Sequence, residues 1–141
     1  MTDIYEQAKD KLNNFIKRDI LTYSKNRNYD YGPKNRSNVS HLSKYITHRV
    51  INEYDVINLV LSEYSFSKIE KYVQEVFWRV YWKGWLEHRP QVWNDYYDYS
   101  DNNLNSDDYK KAIEGTTGIV CFDNWVEELV NENYLHNHTR M

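Results

Sequence analysis

The longest regular pattern in the sequence is an amphipathic helix near the middle of the chain. From Ser67 to about His88, apolar residues recur three and four positions apart, and Pro90 ends the pattern because its ring cannot continue a helix. Ser67 and Glu70 have the spacing of a capping box, in which each side chain satisfies a backbone N–H of the first turn. The sequence therefore predicts one long helix, with an apolar stripe formed by Ile69, Val73, Val76, Phe77, Val80 and Tyr81.

Shorter stretches with the same spacing predict the remaining helices, and no stretch shows the strict alternation of a half-buried strand. These helices are expected from Ile4 to Lys17, from Ser40 to His48, after a cap at Asn52, from Ser106 to Gly115, and from Asp123 to Val130. Residues 24–39 and 94–106 are polar and lack periodicity, so they are expected to be loops. The predicted fold class is all-α, a single helical domain of about six helices over residues 1–141.

Composition narrows the classes of function. The net charge of −3 comes from 21 acidic and 18 basic residues, so the chain lacks the basic surface of a protein that binds nucleic acid mainly through phosphates. No apolar run approaches the roughly 20 residues that span a bilayer, and no membrane segment is expected. Cys121 is the sole cysteine and cannot form an internal disulfide, so we expect a buried thiol and a cytoplasmic setting.

The histidines do not predict a metal site. His136 and His138 flank Asn137, but no thiolate or carboxylate accompanies them at a fixed ligand spacing. We therefore expect no bound metal.

Hydroxyl and guanidinium groups give the first candidates for a phosphate site. Ser40 and Ser43 stand at the predicted start of a helix, where hydroxyls and backbone N–H groups suit a diphosphate; ordinary capping by Ser40 is the alternative. Glu75 and Arg79 lie four residues apart and could form a surface ion pair, although the donor fork of Arg79 also suits phosphate.

Three segments, taken in order, resemble the FAD-binding domain of the photolyase and cryptochrome family. They are SHLSKYI at 40–46, EVFWRVYW at 75–82, and the block from Gly115 to Met141. The family shows Thr-Ser-x-Leu-Ser-Pro-Tyr-Leu, Glu-Leu-x-Trp-Arg-x-Phe-Tyr, and a Gly-x-Thr-Gly block that ends in His-Asn-Arg-x-Arg-Met. The resemblance spans about residues 23 to 141.

The resemblance implies an FAD cofactor and assigns roles to particular residues. The residues that correspond to cofactor contacts are Tyr23, Ser40, Leu42, Ser43, Arg79, Asn137 and Arg140. Glu75 and Trp78 correspond to the catalytic pair that lines the cavity for a damaged base. Without the resemblance, Asn137 and Arg140 would be assigned to a polar C-terminal tail.

The sequence also departs from the family pattern. Val39, His41 and Lys44 stand where the family has Thr, Arg and Pro, and His138 replaces an Arg. We also expect about half of the flavin pocket to be absent, because family members continue beyond the last matched segment. A homo-oligomer or a second chain is therefore expected to complete the pocket.

Two flavin functions are compatible with this reasoning, and a helical interaction module without a ligand is a third possibility. The first is a truncated or split deoxyribodipyrimidine photolyase, which would use FAD and light to repair damaged DNA together with a partner chain. The alternative is a flavin-binding photosensor or flavin-storage module that self-associates and has no repair activity.

Overall fold

A computed structural model describes residues 3–101 and 106–140, and helices account for most of them. The helices are α1 (Ile4–Arg18), α2 (Tyr23–Asn26), α3 (Ser43–Thr47), α4 (Glu53–Glu63), α5 (Phe66–Glu87), α6 (Pro90–Asp101), α7 (Asp107–Glu114), α8 (Val120–Glu132) and α9 (Asn137–Arg140). A 3-10 turn, Ile20–Thr22, lies between α1 and α2. Within the described ranges there is no strand, so the predicted all-α fold class is confirmed.

The chain divides into two compact units, Met1–Trp82 and Lys83–Met141. The first unit contains the main hydrophobic core, to which α1, α3, α4 and the first half of α5 each contribute one apolar face. Its fully packed residues are Ala8, Leu12, Phe15, Ile16, Ile20, Leu42, Tyr45, Ile46, Ile51, Val56, Ile57, Val60, Ile69, Tyr72 and Val73.

Local capping explains where the first helices begin. Asp3 caps α1 by accepting the backbone N–H of Tyr5 at 3.2 Å. Asn52 caps α4 as predicted: its Oδ1 accepts the N–H of Asp55 at 2.9 Å, and the Asp55 carboxylate accepts the N–H of Asn52 at 3.3 Å. This reciprocal pair satisfies two backbone donors that a helix start leaves free.

The predicted capping box at the start of α5 is wrong. The helix begins at Phe66, so Ser67 already lies inside its first turn. The carbonyl of Ser65 accepts the N–H of Lys68 at 3.0 Å. Glu70 instead accepts a hydrogen bond from Gln74 at 3.0 Å, one turn further along the helix. The predicted end near Pro90 is confirmed, because α5 stops at Glu87.

The segment predicted as a loop at 24–39 is largely non-helical, although α2 extends to Asn26. Two buried polar side chains anchor it. Arg36 donates through Nε and Nη2 to Oδ1 of Asp30, at 3.2 and 2.5 Å. Asn38 donates to the carbonyls of Asn26 and Tyr29, each at 2.8 Å. Polar residues thus fix the path of this segment: Asn38 binds two of its backbone carbonyls, and Arg36 pairs with its carboxylate at Asp30.

In the second unit, the loop predicted at 94–106 is wrong for the residues that α6 contains, while 102–105 lie outside the described residues. Pro90 occupies the first helical position, where its missing N–H costs nothing. Trp93 stacks on Tyr96 and meets Tyr97 edge to face, with ring centroids 5.7 and 4.9 Å apart. These contacts three and four residues apart stabilise a helix that composition alone did not predict.

The start and end of α7 match the prediction. Ser106 accepts the N–H of Tyr109 at 3.1 Å, and Gly115 ends the helix in the left-handed conformation with φ 66°. A Cβ at Gly115 would lie 3.1 Å from Cβ of Val126 on α8, so glycine also permits close approach of these two helices. Cys121, expected to be buried, is exposed on α8.

Candidate functional site

Tyr72 of α5 brings two of the expected cofactor contacts together. Its ring meets that of Tyr23 edge to face, with centroids 5.1 Å apart. Its hydroxyl also interacts with the Ser40 side chain. Burial raises the pKa of Tyr72 to about 12, because the phenolate would lose hydration; the interaction with Ser40 opposes this shift only in part. Ser40 does not cap α3, which begins at Ser43.

Arg79 lies at a junction of three helices. Its Nη2 donates to Oγ1 of Thr47 on α3 at 2.6 Å, and its Nε lies 3.4 Å from Oε1 of Glu53 on α4. Thr47 in turn donates to the carbonyl of Ser43 at 2.7 Å. The structure thus links Arg79 to Ser43 through one intervening hydroxyl.

Leu42, also expected to contact the cofactor, is buried in the hydrophobic core. His41 adopts a left-handed conformation with φ 53°, and its Nε2 lies 2.8 Å from the carbonyl of Arg36. Burial lowers the pKa of His41, while the Arg36 carbonyl opposes the shift. The turn that carries Ser40 to Ser43 is therefore held from both sides, through Leu42 in the core and His41 against the preceding loop.

Glu75 does not pair with Arg79, although the two residues are four positions apart. Its Oε1 lies 3.0 Å from Nη1 of Arg27 and 3.3 Å from Nζ of Lys71. These two cations neutralise the carboxylate, and Glu53 takes its place beside Arg79. The helix spacing was compatible with either arrangement, and contacts from other helices decided between them.

Trp78 belongs to an exposed aromatic cluster on α5. Its ring centroid lies 6.3 Å from that of Tyr81 and 6.0 Å from that of Trp82, and 49% of the Trp78 surface is exposed. We call the depression beside these rings the aromatic groove; its volume is about 660 Å³. Its walls are Phe66, Val73, Gln74, Phe77, Trp78, Tyr81 and Trp82. An apolar groove of this shape suits a planar ring system.

Asn137 and Arg140 belong to the second unit, in the short helix α9. Nη2 of Arg140 donates to Oδ1 of Asn137 at 2.5 Å. The buried His136 precedes them, and its Nδ1 accepts the N–H of His138 at 3.2 Å. The two residues expected at the cofactor therefore contact each other, while Met141 lies outside the described residues.

The Gly-Thr-Thr-Gly turn of the second unit is closed by Asp123. Its carboxylate accepts three hydrogen bonds: from Oγ1 of Thr117 at 2.7 Å, from the N–H of Thr117 at 3.0 Å and from the N–H of Gly118 at 3.0 Å. These bonds, led by that of the Thr117 hydroxyl, lower the pKa of Asp123. The Gly-Thr-Thr-Gly motif, which resembles the family pattern, thus has a structural role here, since it fixes the turn between α7 and α8.

Sequence reasoning missed Thr47, Glu53 and Tyr72. Tyr72 lies three residues after Ile69 on the apolar stripe of α5, so the helical spacing could have placed it in the core. Thr47 and Glu53 carry no local signal, because their importance comes from Arg79, which lies 32 residues after Thr47.

Ser43 and Arg79 each carry a group that can donate to an anion, a hydroxyl and a guanidinium. The hydroxyl of Ser43 and Nη1 of Arg79 have no hydrogen-bond partner within the described part of the chain. Across residues 3–101 and 106–140, no group of His, Cys, Asp and Glu side chains is arranged to hold a metal ion. None of the helices in these ranges is long and apolar enough to cross a membrane.

Comparison with known proteins gives one relevant similarity. The chain is 25% identical, over 145 aligned residues, to a deoxyribodipyrimidine photo-lyase of Alkalihalophilus pseudofirmus. The alignment covers 96% of this chain and 29% of that photolyase, so the chain spans less than a third of its relative. No protein-family model matches the chain, and no solved structure matches it significantly. The similarity supports a link to photolyases and extends over nearly all of this sequence.

Proposed function

We propose that this chain is a photolyase-like protein that binds FAD. The observation that carries the proposal is the junction at Arg79, where an expected phosphate ligand is linked through Thr47 to the backbone carbonyl of Ser43, a residue whose hydroxyl is a second expected ligand. The similarity to a photolyase along nearly the whole chain supports the same assignment.

In this proposal the first unit holds the diphosphate of FAD. Arg79 would donate from its unpaired Nη1 edge, and Ser43 from its hydroxyl, as charge-assisted hydrogen bonds to phosphate oxygens. Ser40 and Tyr23 would support this side of the site through their contacts with Tyr72. Leu42 would act by packing, because its side chain is buried. Asn137 and Arg140 remain candidate cofactor contacts on the resemblance alone.

For repair of DNA, the aromatic groove would receive the damaged bases, with Trp78 as one wall. Bound FAD would supply the light-absorbing group that donates an electron to the lesion. Glu75 would approach the lesion as a carboxylate already paired with Arg27 and Lys71. The net charge of −3 offers little attraction for the DNA backbone, so repair would require a partner chain.

A photosensor or flavin-storage role is the second candidate. The rings of Trp78, Tyr81 and Trp82 favour it, since they form a continuous cluster with centroids 5.3 to 6.3 Å apart. Such rings are suitable electron donors to an excited, oxidised flavin, and this role needs no DNA.

A partner at the aromatic groove belongs to either proposal: in the sensor or storage role it would cover the rings, and in the photolyase role it would complete the cavity that receives the damaged bases. Half-exposed tryptophan and tyrosine rings in one patch are costly in water unless another surface covers them. We propose that a second copy of this chain, or a second polypeptide, provides that surface. Sedimentation of the flavin-loaded protein would measure the assembly.

The flavin proposal is tested by the visible spectrum of the purified protein and by chromatography of the cofactor released on denaturation. The Ser43→Ala, Arg79→Ala double variant should retain roughly tenfold less FAD, because two donors to phosphate are lost. A matched control, Ser62→Ala with Arg18→Ala, removes the same chemical groups from exposed positions on α4 and α1. Equal FAD retention in the two double variants, or no FAD uptake by the unmodified protein, would refute the proposal.

Repair is tested separately from flavin binding. The yellow protein, chemically reduced, is illuminated with blue light in the presence of dimer-containing DNA. Loss of dimers that depends on Trp78 would support a photolyase, with Trp93→Ala as an aromatic control in the second unit. A flavin-loaded protein that leaves dimers intact, alone and with its partner, would favour the sensor or storage role.

A further inference from the structure

The guanidinium of Arg79 is held along one edge only. Nε faces the Glu53 carboxylate at 3.4 Å, and Nη2 donates to the Thr47 hydroxyl at 2.6 Å. The Glu53 side chain is 14% exposed and that of Arg79 is 38% exposed. The paired edge therefore faces α3 and α4, while Nη1 remains available to a ligand.

Each of the two partners is itself held in place. Oε2 of Glu53 accepts Nη1 of Arg49 at 3.0 Å, so this carboxylate bridges two arginines. The Thr47 hydroxyl donates to the Ser43 carbonyl at 2.7 Å, which directs its lone pairs toward Arg79. When two nitrogens of a guanidinium are held by hydrogen bonds or ion pairs, the third nitrogen is fixed as well, because the five N–H groups share one plane.

We infer that Thr47 and Glu53 are positioning residues, which hold Arg79 so that its Nη1 edge is presented to a diphosphate group. The inference rests on the proposed function in taking this diphosphate to be that of FAD. Neither residue touches the ligand. Their effect is to remove side-chain freedom from Arg79 before binding, so that less freedom is lost when the anion binds.

Variants of Thr47 with and without a hydroxyl distinguish a positioning role of this residue from a merely structural one. Thr47→Val keeps the shape of the side chain but removes the acceptor for Nη2, whereas Thr47→Ser keeps the acceptor. Loss of one hydrogen bond of this kind should weaken anion binding by roughly three- to tenfold. Thr47→Ser should restore the original affinity, and Glu53→Gln should weaken it because the ionic partner of Nε is lost.

The experiment follows the Arg79 side-chain Nε–H resonance by NMR while inorganic pyrophosphate is added to the full chain. Arg79→Lys identifies the resonance. We expect a saturable shift in the unmodified protein and in Thr47→Ser, and a roughly three- to tenfold weaker dissociation constant in Thr47→Val. Circular dichroism of each variant reports whether the helices are retained.

The outcomes distinguish the inference from the proposed function. Equal pyrophosphate affinity in the valine and serine variants, or no shift in the unmodified protein, overturns the inference even where FAD binds. A loss of pyrophosphate affinity in Thr47→Val but not in Thr47→Ser supports the inference even where the protein does not retain FAD. The absence of FAD would then refute only the proposed flavin function. A valine variant that has lost its helices is replaced by Glu53→Gln, whose unchanged pyrophosphate affinity would overturn the inference.

Discussion

Replacing Tyr72 with phenylalanine gives a stability change whose sign depends on pH. Tyr72 is buried and its hydroxyl interacts with the Ser40 side chain. Phenylalanine keeps the ring contacts with Phe15 and Tyr23, whose centroids lie 5.0 and 5.1 Å away. The substitution therefore removes one hydroxyl and leaves the packing intact.

Near pH 7 the variant should be less stable by at most about 1 kcal/mol, the usual net contribution of one hydrogen bond, because the phenol loses its polar interaction with Ser40. Ser40 is only half-buried, so its hydroxyl can turn to water when Tyr72 loses its own. The cost therefore stays near that value and does not include a buried unpaired group.

In alkali the order should reverse. The pKa of Tyr72 rises from 10.0 in the unfolded chain to about 12 in the folded one, so only the unfolded form loses its proton between these values. A raised folded pKa means that the stability is complete below pH 10 and falls as pH rises to 12, by about 3 kcal/mol in total. Phenylalanine does not titrate, so the two stability curves should cross near pH ~11.

The assay is urea unfolding, followed by circular dichroism, of both proteins from pH 7 to pH 12. The difference between the two proteins isolates Tyr72 from the other tyrosines. Combining the substitution with Ser40→Ala measures the coupling between the two side chains, since the effects of interacting residues should not add. A difference that stays constant from pH 9 to pH 12 would show that the Tyr72 hydroxyl is not buried as described.

Three further predictions concern backbone geometry and buried charge. Gly115→Ala should destabilise the fold by about 1–2 kcal/mol, because alanine is strained at φ 66° and its Cβ meets α8; Gly84→Ala, with open space around it inside α5, should be neutral or stabilising. Arg36→Met should cost about 3 kcal/mol or more in urea unfolding, since it leaves a carboxylate without its buried partner. Thr117→Val should raise the pKa of Asp123 toward its ordinary 3.8, measured by NMR, whereas Thr117→Ser should not; equal pKa values in these two variants would contradict the assigned hydrogen bond.

Helices whose caps are formed by neighbouring residues were predictable from the sequence. Asn52 and Ser106 each lie directly before a helix and accept the backbone N–H of the residue three positions ahead. Such bonds are local, so the sequence alone contains the information. The helix α6 was missed because its acidic, Asn-rich composition resembles a loop. Its ring contacts between Trp93 and Tyr97 outweigh that composition.

The candidate site was predictable in its residues but not in their partners. Motif resemblance named Ser43, Glu75 and Arg79, and the spacing of the last two allowed an ion pair. In the structure, Arg79 pairs with Glu53, and Glu75 pairs with Arg27. Several oppositely charged groups compete for each side chain, and only the packing of α3, α4 and α5 decides which of them come within reach.

By itself, the sequence determined that the chain is helical and which side chains carry hydroxyl, guanidinium and aromatic chemistry, because helical spacing and residue type are local properties. Tertiary structure alone decided that the long central helix exposes an aromatic groove and that Tyr72 is buried against Tyr23. It also decided that one edge of Arg79 is occupied while the other is available. These are contacts between segments far apart in the chain, and their geometry depends on how the core packs.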